Sequence, residues 1–359
     1  MPGRRVPGPV WKDNAQSSRC CHGSRTRPMR ASLIDSGWVR STGHCERYRK
    51  FTMAVAARIK PESFFSAGEW VLLSARSSWR GIALVAHCWL CIGMAIVMGV
   101  LWPVTIPLVV MLVGTRQLGL FILMHDAAHG VLHPNRQIND GVGKWFCGND
   151  LAPYRAYHLQ HHRFVQQTED PDLVLSAPFP ITRESLRRKI IRDLSGQTFF
   201  KQRFGGLFQR LKAKDAQASR MLVIAQELKL QRVFLIANAL GFGLFCAAGL
   251  WWAWVLMWLL PMVSWLPLVT RLRNIAEHAL VAQNEPDPMR HARTTQASLL
   301  ERMLIAPYWV NYHGEHHMFT QIPCWNLPLA HQMLIRQGAV SRMEVQPGYL
   351  QVLKLATAA

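Results

Sequence analysis

Nine of the fifteen histidines fall into four tight groups. They read H-D-A-A-H (His125, His129), H-L-Q-H-H (His158, His161, His162), N-I-A-E-H (His278) and H-G-E-H-H (His313, His316, His317). On a helix, residues i, i+3 and i+4 share a face. H-x-x-H-H therefore sets three imidazoles on one patch, and H-x-x-x-H sets two. Asn274 shares the face of His278 in the same way. A lone histidine is usually a satisfied surface or core residue, but repeated patches of this kind point to metal ligation. Nine nitrogens exceed the four ligands of a tetrahedral zinc site. They suit two metals with four or five nitrogens each. Iron, zinc and copper all accept imidazole, so ligand type leaves the metal open. No pair of bridging carboxylates accompanies them, which argues against the di-iron carboxylate site of soluble helical bundles.

Such groups need elements that bring them together. Half of the 359 residues are hydrophobic and 17% are charged, against a usual charged share of about 25%. Disordered, collagen-like and disulfide-rich secreted classes are excluded. From Gly81 to Met124 the one charged residue is Arg116, and from Val233 to Thr270 there is none. As single helices these stretches would be about 66 and 57 Å long, against a bilayer core of about 30 Å. Each must cross twice. Trp102-Pro103 marks the first turn, and Gly249 with Trp251-Trp252 the second. The expected fold is an all-α integral membrane protein. Its crossings lie near 82–101, 104–124, 232–248 and 251–271, in two hairpins, with a helical cap carrying the histidines. Both short turns lack Lys and Arg, so the positive-inside rule puts the cap in the cytoplasm. The net charge of +20 then belongs to a membrane protein's basic face, not to a nucleic-acid binder. Ile181 to Lys214, basic with interleaved Leu, Ile and Phe, reads as helices at headgroup level or as a solvated basic cap.

H-D-A-A-H-G at the end of an apolar helix, Y-H-L-Q-H-H-R-F before T-E-D-P-D, and N-Y-H-G-E-H-H-M-F resemble the histidine boxes of the integral-membrane fatty acid desaturases. The resemblance covers about residues 80–335, and the look is that of small bacterial members, some of which act on secondary metabolites. It implies a multi-pass protein of a bacterial inner membrane. It implies two iron ions held by His125, His129, His158, His161, His162, His278, His313, His316 and His317, with Asn274 holding a metal-bound water. It also implies O2 as co-substrate and desaturation of an acyl chain or related aliphatic metabolite. The first box has one spacer residue fewer than in the acyl-CoA branch. Hydroxylases and ketolases of alkanes or carotenoids use similar boxes, so spacing does not separate the outcomes. A histidine-rich metal transporter is the remote alternative. It would need ligands at bilayer depth along the crossing helices.

Ligating imidazoles usually donate their second N–H to a carboxylate or carbonyl. Asp126, Glu169, Asp170, Asp172, Glu277 and Glu315 stand beside the boxes. Arg116 is a candidate substrate anchor, or a side chain reaching a headgroup. His87 is expected as a buried, hydrogen-bonded ring, and His133, His291 and His331 as surface or supporting residues. The eight cysteines form no zinc ribbon. No nucleotide-binding turn, haem motif or iron–sulfur motif is visible, so electrons must come from a separate donor such as a ferredoxin or small haem protein. Residues 1–52 carry 11 basic and 3 acidic residues without apolar periodicity. They are expected to be disordered, with Met53 as a candidate working start and 53–359 as one membrane domain.

Overall fold

The apolar stretches become four helices long and apolar enough to cross a membrane in the computed structural model, which describes residues 55–148, 150–212 and 220–358. The expectations for residues 1–52 and the start at Met53 lie outside the described residues. A short helix, α1 (Ala67–Ser74), is begun by Ser66, whose hydroxyl accepts from the Glu69 N–H while the Glu69 carboxylate reaches back. Two spanning helices follow, α2 (Arg80–Leu101) and α3 (Ile106–His129). The tight turn Pro103–Thr105 joins them, at the dipeptide the sequence singled out. Gly130 ends α3 in the left-handed region, with φ +73°. That backbone conformation, which L side chains rarely adopt, explains the glycine closing H-D-A-A-H-G.

The first cap segment holds α4 (Arg136–Trp145), α5 (Leu151–Arg163), α6 (Leu173–Ser176), α7 (Arg183–Leu194) and α8 (Gln197–Lys212). Asn135 caps α4 by accepting from the Gln137 and Ile138 N–H groups. The helices expected over the basic segment are α7 and α8. On α8, Phe200 and Phe208 are exposed and Phe199 and Phe204 half-buried.

The third spanning helix, α9 (Arg220–Ala247), starts well before the expected residue 232. A charge ends an apolar block but not a helix, and Gln226, Glu227 and Lys229 are good helix formers. Gly249, with φ +70°, turns the chain into a fourth rod. It comprises α10 (Trp251–Trp254), a π-turn at Val255–Leu259, α11 (Leu260–Val263) and α12 (Trp265–His278). In the π-turn the Leu260 N–H bonds the Val255 carbonyl five residues back, and Pro261 brings no N–H of its own. Helices α3 and α12 run past the expected ends, so His125, His129 and His278 ride on the spanning helices themselves.

The C-terminal segment holds β1 (Arg293–Thr295), α13 (Leu299–Leu304), α14 (His313–Met318), α15 (Leu327–Arg336), β2 (Glu344–Gln346) and α16 (Tyr349–Ala356). Strands β1 and β2 pair in parallel, with Thr294 opposite Val345, and Thr294 also bridges to Tyr312 at the start of α14. This small ladder is the one departure from an all-helical chain among the described residues. The spanning helices divide by burial. In α3 and the α10–α12 rod, 56% and 61% of the apolar window is buried, against 28% in α2 and 11% in α9. Leu90, Met94 and Val97 of α2 and Ile236, Leu240 and Leu244 of α9 face outward, as a bilayer requires.

Candidate metal centre

Four elements deliver the nine box imidazoles. The end of α3 supplies His125 and His129, α5 supplies His158, His161 and His162, the last residue of α12 is His278, and α14 supplies His313, His316 and His317. Helix α5 lies at the foot of α3 because Arg155 donates to the Ala127 and Ala128 carbonyls at 2.9 Å each and pairs with Asp140 at 2.6 Å. Within each element the spacing behaves as read from the sequence, with i, i+3 and i+4 on one side. The elements sort the rings into two groups that sequence could not separate. His125, His129, His158, His162 and His316 form one, and His161, His278, His313 and His317 the other. Within each group the ligating atoms lie within 4.8 Å of one another.

In the five-membered group, His158 Nε2 is 2.9 Å from both His129 Nε2 and His162 Nε2, and His316 Nε2 is 3.1 Å from His162 Nε2. In the four-membered group, His313 Nε2 lies 2.9 Å from His278 Nε2 and 3.1 Å from His317 Nε2, and His161 Nε2 lies 3.3 Å from His317 Nε2. A neutral imidazole has one N–H to give. His161 donates its proton from Nδ1 to Asp170 at 2.8 Å, so its Nε2 presents a lone pair to the group. His125 Nε2 and Asn274 Oδ1 are buried with no hydrogen-bond partner. Buried polar atoms without partners are costly, and a cation held by the converging lone pairs would resolve that cost. Burial, and then the neighbouring rings, hold His158, His162, His313, His316 and His317 well below the usual imidazole range. They stay neutral, the form that ligates. The residues present thus fit one metal ion per group.

The acidic neighbours differ in what they touch. Asp170 bonds His161 and also accepts from the Gln166 and Asp172 N–H groups. Asp172 lies 3.8 Å from the same ring and takes the Tyr157 hydroxyl. Glu277 pairs with Arg273 at 2.8 Å and lies 3.5 Å from His313 Nε2. Asp126 lies 3.7 Å from His125, and its closer contact is the Cys324 N–H at 2.9 Å. Glu315 binds His331 and Thr294, each at 2.5 Å, with no box ring as a partner. Among the described residues, Glu169 makes no ion pair with a box ring and takes a hydrogen bond from Thr168. Arg116 donates to the Met303 carbonyl at 3.0 Å and lies over the Tyr308 ring. His87 lies within hydrogen-bonding distance of the Tyr308 hydroxyl, as expected, but the residue is exposed and not buried. His133, His291 and His331 are buried, each with a hydrogen-bond partner.

Three supporting residues escaped the sequence reading. Tyr154 stacks on His158, with ring centres 5.6 Å apart. It stands four residues before that histidine, a spacing that could have flagged it. Gln166, in the left-handed region and buried, donates to the His278 carbonyl, and nothing in its local sequence marks it. Gln117, a polar residue in an apolar helix, donates to the Trp258 carbonyl in the π-turn at 2.9 Å.

A chamber of about 920 Å³ opens beside the two groups, at the upper end of small-molecule sites. His125, His158, His161, His278 and His313 line it, and so do Trp89, Trp254, Trp258 and Phe245. The aromatic rings form a stacked floor, Trp89 on Trp258 at 5.5 Å and Trp258 on Trp254 at 5.3 Å. Trp254 can lie against α9 because residue 241 is glycine, where a Cβ would meet the indole at 2.3 Å. Trp258 and His278 are twenty residues apart on one rod, or about 30 Å. The chamber is therefore long enough for an extended apolar molecule to reach from the tryptophan floor to the histidines.

Comparison with known proteins agrees with this geometry. A family model described as fatty acid desaturase matches residues 100–346. The chain is 26% identical over 260 residues to the dihydrorhizobitoxine desaturase of Bradyrhizobium elkanii, covering 68% of this chain and 70% of that one. It is 24% identical over 257 residues to the sn-1 oleoyl-lipid 12-desaturase of Anabaena variabilis, covering 64% and 68%. It is also 26% identical over 226 residues to the beta-carotene ketolase of a Paracoccus species, covering 58% and 72%.

Proposed function

The chain belongs to the fatty acid desaturase family and is an oxidoreductase, and on that premise we propose an oxygen-dependent di-iron desaturase that introduces a C=C bond into an acyl chain or related aliphatic metabolite. The observation that carries this reading is the adjacency of two histidine groups, buried or half-buried throughout, on the wall of one largely apolar chamber. His125, His129, His158, His162 and His316 would hold one iron. His161, His278, His313 and His317 would hold the other, and Asn274, one turn before His278, would complete the smaller set through a water. Iron bound there supplies the dioxygen chemistry that takes hydrogen from an unactivated C–H bond.

The chain's own residues do the rest. Asp170 fixes the tautomer and plane of His161, and Tyr154 fixes the plane of His158. Glu277 places a carboxylate beside His313 and is balanced by Arg273. The chamber wall and the tryptophan floor exclude water from the apolar part of the substrate. Four crossings in two hairpins would place the groups and the cap on the cytoplasmic side of a bacterial inner membrane, since both predicted turns lack Lys and Arg. Electrons would come from a separate ferredoxin or small haem protein, drawn by the basic face. Arg116, held by Met303 and Tyr308, serves as a strap between α3 and the segment before α14, not as a substrate anchor.

A second reading, hydroxylation or ketolation, is favoured by the similarity to beta-carotene ketolase. Mass spectrometry of lipids and small metabolites from a deletion strain separates the two. Desaturation leaves a product lighter by two hydrogens, and hydroxylation one heavier by an oxygen. Purified protein with tightly bound zinc and no iron would sink both.

A further inference from the structure

Three guanidinium groups line the chamber, those of Arg203, Arg271 and Arg273. Two are neutralised. Arg271 bonds Asp193 at 2.5 and 2.8 Å, and Arg273 pairs with Glu277 at 2.8 Å. Arg203, on α8, has no carboxylate within ion-pair distance among the described residues. The nearby acid, Glu227, is already engaged, one oxygen by Arg210 and the other by the Gln231 amide at 2.6 Å. The Arg203 guanidinium carbon lies 3.8 Å from the centre of the Phe234 ring and 5.9 Å from that of Phe199. Stacking of this kind holds the fork by its faces and leaves its in-plane N–H groups free for a planar anion. The Gln231 side chain donates to the Arg203 carbonyl at 3.2 Å and ties α8 to α9 at this level. A half-buried cation, fixed in place, thus faces the chamber without an ion-paired carboxylate of its own, beside a Glu227 that also lines the chamber but is taken up by Arg210 and Gln231.

We propose that Arg203 anchors an anionic terminus of the substrate, so that the chamber takes an aliphatic molecule ending in a carboxylate or phosphate, not a neutral hydrocarbon. The proposal rests on reading the chamber as the substrate site and narrows the substrate class within it. The anion has two sources, the free terminus of an unesterified acid or the phosphate of a membrane phospholipid towards which an interfacial arginine extends.

The test is equilibrium binding to the purified full-length protein in neutral detergent, with iron content measured on the same samples. The probes are radiolabelled hexadecanoic acid, its methyl ester, and phosphatidylglycerol carrying the same chains. The acid should bind wild type at least about tenfold more tightly than the ester, the margin of one well-placed charge-assisted contact. R203Q should erase the margin while leaving ester binding and iron content unchanged, and R203K should keep part of it. An Arg203-dependent preference for phosphatidylglycerol, with none for the free acid, supports the anchor and assigns the anion to a lipid. Equal binding of the acid, the ester and phosphatidylglycerol by wild type overturns the proposal, as does a R203Q protein with normal iron that loses all three probes equally. If R203Q does not fold, the acid-to-ester ratio in R203K decides. Absence of iron and of any oxygen-dependent product would remove the enzymatic reading while leaving the acid-to-ester ratio as a separate measure of the anchor.

Discussion

The two histidine groups sit side by side but are braced by different forces. The four-membered group is surrounded by charge. Asp170 holds His161, Asp172 lies behind the same ring, and Glu277 with Arg273 stands beside His313. The five-membered group leans on packing and backbone. Tyr154 stacks on His158, Arg155 clamps α5 to the carbonyls at the end of α3, and Asp126 is occupied with the Cys324 loop. A site with five imidazoles needs little else to be complete, whereas one with four depends on oxygen-bearing neighbours for orientation and charge. The smaller group should therefore be the more sensitive to polar substitutions, and the larger to changes of shape.

Replacing one ligand from each group gives the largest effect. H161A and H316A should both abolish turnover, because the proposed chemistry needs both metals. Each should lower bound iron by about one of an expected two per chain, measured by elemental analysis of protein recovered from membranes. Identical loss of all iron in both variants would break the distinction between the groups. D170N comes next. Loss of a second carboxylate contact of this kind typically costs about 10–100-fold in metal affinity, so iron titration should show one weakened site and one unchanged. Y154L should act on the other group and more gently. An aromatic pair contributes about 0.5–1.5 kcal/mol, so the weakening should stay within about tenfold. Equal losses in D170N and Y154L would show that bracing does not differ. R116Q should have the smallest effect. Its exposed bond to Met303 is worth about 1 kcal/mol, to be read as a slight drop in thermal stability with turnover intact.

Much of the site could be read in the sequence because helical spacing is rigid. Three residues at i, i+3 and i+4 must share a face, so each box was legible as a patch. The division of nine rings into five and four was not, because it depends on how α3, α5, α12 and α14 cross. His158 and His161 share a helix and a box yet serve different groups. The spanning helices were legible from unbroken apolar runs, but their ends were not, since helix persists through Glu227 and on to His278. The chamber's polar contacts were hidden for the same reason. Arg203 looks like any basic residue of an amphipathic helix until Phe234, thirty-one positions later, is brought against it.

The π-turn at Val255–Leu259 makes insertions and deletions unequal along the chain. A π-turn carries one residue more than an α-turn, which advances everything after it by about 100° around the axis. Trp254 before that offset and Asn274 and His278 beyond it face the same chamber, as does Trp258 within it. Removing one residue from 255–259 would put the floor and the metal end out of phase, though the helix would remain long and apolar enough to cross. One residue added beside Gly249, where a side chain would meet nothing within 4 Å, would change no phase. Length is fixed in the middle of the fourth rod and free at its outer turn.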